Sequence, residues 1–409
     1  MASPQKNIVI CLDGTGNQIE ENLSNVLKLY RAVSKTDTQI VYYDQGVGTL
    51  RRALGWGWLK QKVRLILGMA FGYGLDGNVL RAYEFLVRYY EERGPKRAPV
   101  RDRIYIFGFS RGAYTARVLA GLIYEIGILK PEQLHLAPAA LMAYKQTIEG
   151  RRARDAGDKN AYEGEGANFR RVAQPINGSV QFLGLFDTVS SVFMPNPNGF
   201  LPPFVRARNL HTRNNPAVEV FRHAVSVDER RRMYRAEPWD DGQFFQPSPY
   251  ATDPDPQDAE GRWFAGFHSD VGGGYERRHS GASQYPLIWM LDAARAAGLE
   301  APDRMVNYLT GITAYSSTTT YLYPQPSLTA KLHHSGGGLW ALLEIIPKRV
   351  HPRMWPERKS ILGYYLPLFE PRLIAGRGVV DRSVYDRIAE KRGYKPENVP
   401  DAPPTSRVN

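Results

Sequence analysis

A serine between two glycines is the residue of this chain whose surroundings point most directly to chemistry. Ser110 stands in Gly-Phe-Ser-Arg-Gly at residues 108–112, a G-x-S-x-G pattern. A short β-branched and aromatic run precedes it, and a stretch without Gly or Pro, with apolar residues at helical spacing, follows it. This order is typical of a nucleophile elbow, where the glycines let the backbone turn sharply without Cβ clashes. The sequence therefore predicts that Ser110 is a nucleophile, the alternative being a tight strand-to-helix turn with an ordinary serine.

A serine hydroxyl becomes a useful nucleophile only when an imidazole accepts its proton and a carboxylate orients that imidazole. His268 follows an apolar run and precedes a glycine-rich stretch, and Asp187 directly follows another apolar run. Ser110, Asp187 and His268 stand in the chain order of α/β-hydrolase triads. Asp270 and Asp228 remain alternatives for the acid, and Asp270 could instead brace its own loop or bind an ion.

Hydrolysis of an ester also needs backbone N–H groups that bind the developing oxyanion. One comes from the residue after the nucleophile, which is Arg111, and one from a loop after an earlier strand. The turn at Gly14 and Thr15 follows the first apolar run and is the candidate for the second donor. Asp13, beside it, is interpreted as a residue that braces this turn through its own backbone, with a direct catalytic role as the alternative.

Short apolar runs alternate with helical patterns along the chain, which predicts a parallel sheet with right-handed crossovers. Because function collects at the carboxyl ends of strands in such sheets, the candidate residues meet at one edge. The fold class predicted is α/β, an α/β-hydrolase-like, mostly parallel central sheet flanked by helices, with cap or lid insertions. The predicted strands are 7–12, 39–43, 103–107, 180–186 and 262–267; the predicted helices are 22–34, 78–93, 111–127, 139–150 and 284–298; the predicted exposed loops are 150–170 and 236–260.

Composition limits the class of protein. The chain has 409 residues, 43% hydrophobic and 23% charged, which is ordinary for a globular protein with a sizeable core. Its one cysteine, Cys11, excludes an internal disulfide framework and a cysteine-based zinc site, and no metal or cofactor is expected. The amino terminus lacks the regions of a signal peptide and no run of about 18 apolar residues occurs. We therefore expect synthesis in the cytoplasm, with export independent of a cleaved signal left open.

The formal net charge of +12 favours an anionic partner, with a merely basic surface as the alternative. Phospholipid headgroups fit this charge, whereas nucleic acid is not expected because the chain has no zinc finger, no RNA-binding aromatic signature and no extended Lys/Arg tract. Residues 49–72 mix Trp, Leu and Ile with Arg and Lys at helical spacing. Such a segment can lie on an anionic membrane, cover an acyl pocket as a lid, or pack on its own domain.

Five motifs stand in a shared order along the chain. They are Cys-Leu-Asp-Gly-Thr-Gly-Asn (11–17), Gly-Phe-Ser-Arg-Gly-Ala-Tyr-Thr-Ala-Arg (108–117), Phe-Asp-Thr-Val (186–189), His-Ala-Val-Ser-Val-Asp-Glu-Arg-Arg (223–231) and Phe-His-Ser-Asp-Val-Gly-Gly-Gly-Tyr (267–275). With these motifs the chain resembles, over roughly residues 7–300, the α/β-hydrolase family that includes the first class of type VI secretion phospholipase effectors and many uncharacterised bacterial and fungal relatives. The resemblance implies a serine esterase of phospholipase type, with Ser110, Asp187 and His268 matching the family's triad positions.

We expect a catalytic domain over residues 1–300 and a C-terminal extension, residues 301–409, packed on the same domain. Within the extension, residues 395–409 are expected to be a flexible tail, and His333-His334 a loop rather than a metal site. The function predicted is hydrolysis of lipid carboxylic esters through an acyl-enzyme on Ser110. The alternatives are a soluble esterase of small substrates and a non-catalytic module that binds a lipid or an anion.

Overall fold

The fold is seen in a computed structural model that describes most of the chain. The described residues are 4–14, 22–46, 74–95, 99–155, 157–189, 193–195, 204–206, 213–231, 234–248, 251, 253–317, 322–334, 341, 344–350, 360–374 and 378–401. Thr15 and the predicted lid, residues 49–72, lie outside the described residues.

A seven-stranded parallel sheet runs through the centre of the described structure. Its strand order is β15-β12-β9-β6-β5-β1-β2, and every neighbouring pair is parallel. The strands are β1 (Asn7–Leu12), β2 (Gln39–Asp44), β3 (Glu92–Arg93), β4 (Val100–Arg101), β5 (Arg103–Phe109), β6 (Val180–Phe186), β7 (Phe193–Pro195), β8 (Phe204–Arg206), β9 (Val218–Ser226), β10 (Phe244–Phe245), β11 (Asp255–Pro256), β12 (Asp258–Phe264), β13 (Lys348–Arg349), β14 (Tyr364–Tyr365) and β15 (Val379–Val380). The pairs β3–β4, β7–β8, β10–β11 and β13–β14 form separate antiparallel ribbons.

Helices cover both faces of the sheet. They are α1 (Asn25–Ala32), α2 (Leu75–Tyr89), α3 (Arg111–Glu125), α4 (Ala137–Asp155), α5 (Glu165–Ala173), α6 (His268–Gly272), α7 (Gln284–Ala296), α8 (Asp303–Leu309) and α9 (Arg382–Glu390), with 3₁₀ turns at Pro131–Leu136 and Arg277–His279. On one face α2, α3 and α4 pack on Ile8 and Ile10 of β1. On the other face α1, α7 and α8 pack on Val9 and Cys11. Successive residues of β1 therefore enter opposite cores, which explains why the strand is continuously apolar rather than alternating.

The α/β fold predicted from the sequence is present. Two of the predicted strands, 7–12 and 180–186, have the predicted bounds. The last predicted strand, 262–267, begins earlier, at Asp258, and ends at Phe264. The loop predicted at 150–170 is wrong in part, because α4 continues to Asp155 and α5 begins at Glu165.

The chain order of the strands creates one reversal in the sheet. From β1 the chain adds β2 on one side and then returns to add β5 on the other. The crevice between the carboxyl ends of β1 and β5 is thus a topological switch point, the usual location of a ligand site in open α/β sheets. Among the described residues, no helix has the length and apolar character needed to cross a bilayer.

Candidate active site

The turn between β5 and α3 holds Ser110 in an unusual backbone conformation. Its φ of 57° and ψ of −119° are sparsely populated for a residue with a Cβ. The flanking glycines make the turn possible. A Cβ on Gly108 would lie 2.5 Å from the Cα of Ala113, and one on Gly112 would lie 2.1 Å from the carbonyl oxygen of Leu12. The G-x-S-x-G pattern therefore presents the serine at the carboxyl end of β5 while α3 packs closely on β1.

Ser110, His268 and Asp187 form a hydrogen-bonded series. The Oγ of Ser110 lies 2.8 Å from Nε2 of His268, and Nδ1 of His268 lies 2.5 Å from Oδ2 of Asp187. The three residues come from the ends of β5, the start of α6 and the end of β6. Each imidazole nitrogen thus faces one partner, the arrangement in which a carboxylate fixes the tautomer that leaves Nε2 free to accept a proton.

Asp187 is fully buried, and its carboxylate accepts hydrogen bonds from several protein groups. The backbone N–H of Ser226 donates to Oδ1 at 2.9 Å, and Arg372 donates to both oxygens, at 2.5 and 3.0 Å. Burial alone opposes ionisation of this carboxyl. The positive charge of Arg372, together with the hydrogen bonds from His268 and Arg372, outweighs burial and holds the pKa of Asp187 well below its usual range. The carboxylate is therefore ionised throughout the neutral range.

His268 begins the short helix α6, rather than preceding a loop as the sequence predicted. Its ring contacts two aromatic rings, with centroid distances of 4.7 Å to Phe109 and 4.8 Å to Tyr234. Its backbone N–H donates to Glu229 at 3.3 Å, and Glu229 is itself held by Arg231. Burial lowers the pKa of His268, although Asp187 opposes that shift. The imidazole is therefore neutral, as a proton acceptor must be.

The two other acidic residues considered from the sequence have different partners. Asp270 accepts the backbone N–H groups of Phe267 and His333, both at 3.0 Å, and lies 2.7 Å from Nδ1 of His333. Asp228 accepts the N–H of Gly266 at 2.6 Å and the hydroxyl of Tyr394 at 2.8 Å. Both carboxylates therefore brace the segment that leads into α6, and neither has His268 as a hydrogen-bond partner.

The turn after β1 contains Asp13, whose carboxylate is a hydrogen-bond acceptor for neighbouring groups. Its buried carboxylate accepts hydrogen bonds from Ser24, from the hydroxyl of Tyr43 at 2.8 Å and from the N–H of Gly14 at 2.6 Å. The N–H of Gly14 is thus occupied and not available to an oxyanion in this conformation. Arg111 is the first residue of α3, and the first N–H groups of a helix have no acceptor within the helix.

Two residues near the triad positions were not singled out from the sequence. Arg372 lies in a Pro-containing stretch without a motif, and nothing local indicates that it reaches Asp187. Glu229 stands in the motif 223–231, and its place in that motif, two residues before Arg231, was the available signal. Within the part of the chain that the structure describes, no group of three or more His, Cys, Asp or Glu side chains is arranged to hold a metal ion.

Comparisons with known proteins show which family the chain belongs to. A sequence model of the catalytic domain of Tle1-like phospholipase effectors of the type VI secretion system matches residues 6–293. The uncharacterised Saccharomyces cerevisiae protein YEL023C is 32% identical over 246 residues, which are 57% of this chain and 33% of the yeast protein.

Two solved structures resemble the chain at low identity. An uncharacterised protein from Pseudomonas aeruginosa is 21% identical with a TM-score of 0.35, over 73% of this chain and 46% of that one. A Tle1 effector bound to the VgrG spike of the type VI secretion system is 18% identical with a TM-score of 0.31, over 66% of this chain and 52% of that one. The chain spans a third of the yeast relative and about half of each of these structures. Because the family match covers most of its length, the chain belongs to the Tle1-like family of type VI secretion phospholipase effector catalytic domains.

Proposed function

We propose that the protein is a serine hydrolase that cleaves carboxylic ester bonds of phospholipids through an acyl-enzyme on Ser110. The observation that carries the proposal is the hydrogen-bonded series from Ser110 through His268 to Asp187, with distances of 2.8 and 2.5 Å. Membership of a phospholipase effector family supports the substrate class. The net charge of +12 also supports the substrate class, because an anionic bilayer that contains the substrate attracts a basic protein.

In the first half of the reaction the Oγ of Ser110 attacks the ester carbonyl carbon while Nε2 of His268 takes the hydroxyl proton. The carboxylate of Asp187 stabilises the imidazolium that forms. Collapse of the tetrahedral intermediate breaks the bond between the acyl carbon and the glycerol oxygen, and His268 returns the proton to that oxygen. Water then attacks the acyl-enzyme with His268 again as the base, which releases the fatty acid and restores Ser110.

The negative charge on the carbonyl oxygen needs donors that are in place beforehand. The N–H of Arg111 is assigned as one donor because it begins α3 beside the nucleophile. The second donor is assigned to the turn at Gly14 and Thr15. Since Asp13 holds the N–H of Gly14, this assignment requires that N–H to exchange partners, or the N–H of Thr15 to donate.

Release of fatty acid and lysophospholipid from vesicles tests the proposal. We expect the full chain to hydrolyse phosphatidylglycerol-containing vesicles and long-chain p-nitrophenyl esters. Ser110→Ala should lower both rates by at least about 10⁴-fold, because the acyl-enzyme can no longer form. Ser327→Ala is the control, since Ser327 hydrogen-bonds Thr329 and is not part of the series.

Three results would change the conclusion. Turnover of short soluble esters alone would indicate an esterase of small substrates. Equal vesicle hydrolysis by Ser110→Ala would remove Ser110 as the nucleophile. Vesicle binding without any turnover by the wild type would indicate a lipid-binding module on a hydrolase scaffold.

The acid is tested separately from the nucleophile. Asp187→Asn should lower kcat by about 10⁴-fold with little change in KM, because a neutral amide neither selects the His268 tautomer nor stabilises the imidazolium. Asp270→Asn is the matched control, and we expect a much smaller loss of kcat because Asp270 bonds His333 instead. Steady-state kinetics on a soluble ester, with Tm measured for both variants, checks this. A larger loss in the Asp270 variant at equal Tm would reassign the acid.

A further inference from the structure

Arg372 lies outside the residues that match the family, in the C-terminal extension, yet its guanidinium contacts the carboxylate of Asp187. Nη1 lies 2.5 Å from Oδ1 and Nη2 lies 3.0 Å from Oδ2, a parallel two-bond pairing. The side chain of Arg372 is 2% exposed and that of Asp187 is fully buried. Such pairs in a water-excluded interior fix geometry more strongly than exposed ion pairs do.

The guanidinium is held on every side. Beyond Asp187, Nη1 donates to the carbonyl of Ser226 at 3.0 Å, and Nε donates to the carbonyl of Tyr234 at 3.0 Å. Nη2 also donates to the carbonyl of Tyr234. An arginine has five N–H donors, and these five bonds use all of them. The orientation of the guanidinium, and through it that of the carboxylate, is therefore determined by three separate parts of the chain.

The backbone of Arg372 is also anchored. The side-chain amide of Asn398 donates to the carbonyl of Arg372 and to that of Val227, both at 3.0 Å. Residues 395–401, expected from the sequence to be flexible, are thus tied to the end of β9 at Asn398. This contact keeps the stretch that carries Arg372 against the strand whose last residue, Ser226, also donates to Asp187.

We propose that Arg372 is a positioning residue of the active site, which orients Asp187 and balances its charge so that His268 stays a neutral base. The inference rests on the proposed function. It deepens that function by adding a fourth member, supplied by the C-terminal extension, to the series that begins at Ser110.

The formal charges of Asp187 and Arg372 determine how easily the site binds a proton. With Arg372 present, Asp187 and the guanidinium cancel, so a proton that binds to the site creates a net positive charge in a buried region. Without the guanidinium, the same proton neutralises a buried carboxylate, which is easier whether it binds to His268 or to Asp187. Removal of the charge therefore moves the protonation of the site to higher pH.

Other charged or titratable groups face this site and remain in place in the test. They are Glu229 and Arg231 next to α6, Tyr234 at the ring of His268, Arg111 at the start of α3, and His223 near Asp187.

The experiment compares Arg372→Gln, Arg372→Lys and Arg387→Gln in the full chain. Arg387 is the matched control, because it is another buried arginine of the extension whose hydrogen bonds go to the carbonyls of Leu328 and Ala330. Two readouts are taken: kcat/KM against pH on a soluble p-nitrophenyl ester, and titration of the His268 ring nitrogens by ¹⁵N NMR, which does not require turnover.

We expect Arg372→Gln to move both the acid limb of the rate profile and the NMR titration to higher pH, with kcat about 10- to 100-fold lower and KM little changed. Arg372→Lys keeps the charge but not the paired bonds, so its acid limb should stay near that of the wild type while kcat falls. Arg387→Gln should leave the limb in place even if Tm drops.

Two outcomes would overturn the proposal. One is an acid limb and NMR titration of Arg372→Gln that coincide with those of the wild type and Arg387→Gln, which would make Arg372 a structural residue only. The other is a kcat of Arg372→Lys equal to that of the wild type. This result overturns the proposal even if Arg372→Gln does not fold. Absence of Ser110-dependent turnover in the wild type would instead reject the proposed function, while the NMR titration would still test the link from Arg372 to His268.

Discussion

Lys28 is a buried amine in α1 whose environment disfavours its charge. Its side chain lies near the ring of Tyr323, with Nζ 5.7 Å from the ring centroid, and Nζ has no hydrogen-bond partner among the described residues. Burial, with the charge of Arg277 nearby, lowers the pKa of Lys28 to about 7. The unfolded chain binds this proton up to about pH 10.4, whereas the folded protein releases it near pH 7.

The free energy of unfolding should therefore rise as the pH increases from about 7 to 10, because over that window only the unfolded state binds the proton. Lys28→Met removes this cost and should stabilise the protein at pH 7 by about 1 to 3 kcal/mol. Lys145→Met is the control, since Lys145 is partly exposed and paired with Asp76 at 2.5 Å. Urea unfolding at pH 7 and pH 10 measures both. Equal stability of Lys28→Met and the wild type at pH 7 would show that burial of the Lys28 ammonium has no free-energy cost.

Among the secondary structure elements, α3 and β1 are in close backbone contact beside Ser110. A Cβ on Gly112 would overlap the carbonyl oxygens of Leu12, at 2.1 Å, and Asp13, at 2.6 Å. Gly112→Ala should therefore displace α3 and cost about 2 to 3 kcal/mol of stability, with loss of activity. Gly77→Ala, in α2, would meet only the side chain of Arg81 at 3.5 Å and should stabilise the helix by about 0.5 to 1 kcal/mol.

Urea unfolding and ester hydrolysis of the two alanine variants check this prediction. A Gly112→Ala protein that is as stable and as active as the wild type would mean that α3 and β1 can separate at no cost.

How well each element could be predicted depended on how it is buried. Strands β1 and β6 pack into the core on both faces, so their sequences are mostly apolar, with Asn7 at the start of β1 and Gln181 as the polar residue of β6. In contrast, β9 has the sequence Val-Glu-Val-Phe-Arg-His-Ala-Val-Ser, whose charged residues interrupt the apolar pattern. The two-residue strand β15 was not predictable either, because it exists only through its pairing with β12. Tertiary contacts, rather than local sequence, create such elements.

Across the whole molecule, the C-terminal extension reaches all three acidic residues that the sequence left as candidates for the acid. Arg372 contacts Asp187, Tyr394 contacts Asp228 and His333 contacts Asp270. The residues at strand ends could be found from the sequence because parallel strands bring them to one edge. Their partners could not, because a lone Arg, Tyr or His far along the chain carries no pattern that indicates what it contacts.

A fragment of residues 1–300 should therefore fail to form the native fold. It retains the family-matched region but leaves the buried carboxylate of Asp187 without Arg372 and the edge of β12 without β15. A fragment of residues 1–401 keeps these contacts and should unfold close to the Tm of the full chain. Thermal unfolding, followed by circular dichroism together with ester hydrolysis, compares them. A cooperative transition and full activity in the shorter fragment would show that the extension is dispensable.

The distance along the chain between His268 and Arg372 has a consequence for the order of synthesis. About a hundred residues separate them, which takes a ribosome roughly 5 to 20 seconds to translate. Ser110, His268 and Asp187 are thus all made before the guanidinium of Arg372 that contacts Asp187. A nascent chain that ends before Arg372 lacks the two bonds to Asp187, and the complete set of contacts needs the extension. Under the proposed function, hydrolysis would therefore begin only after Arg372 has been made and has paired with Asp187.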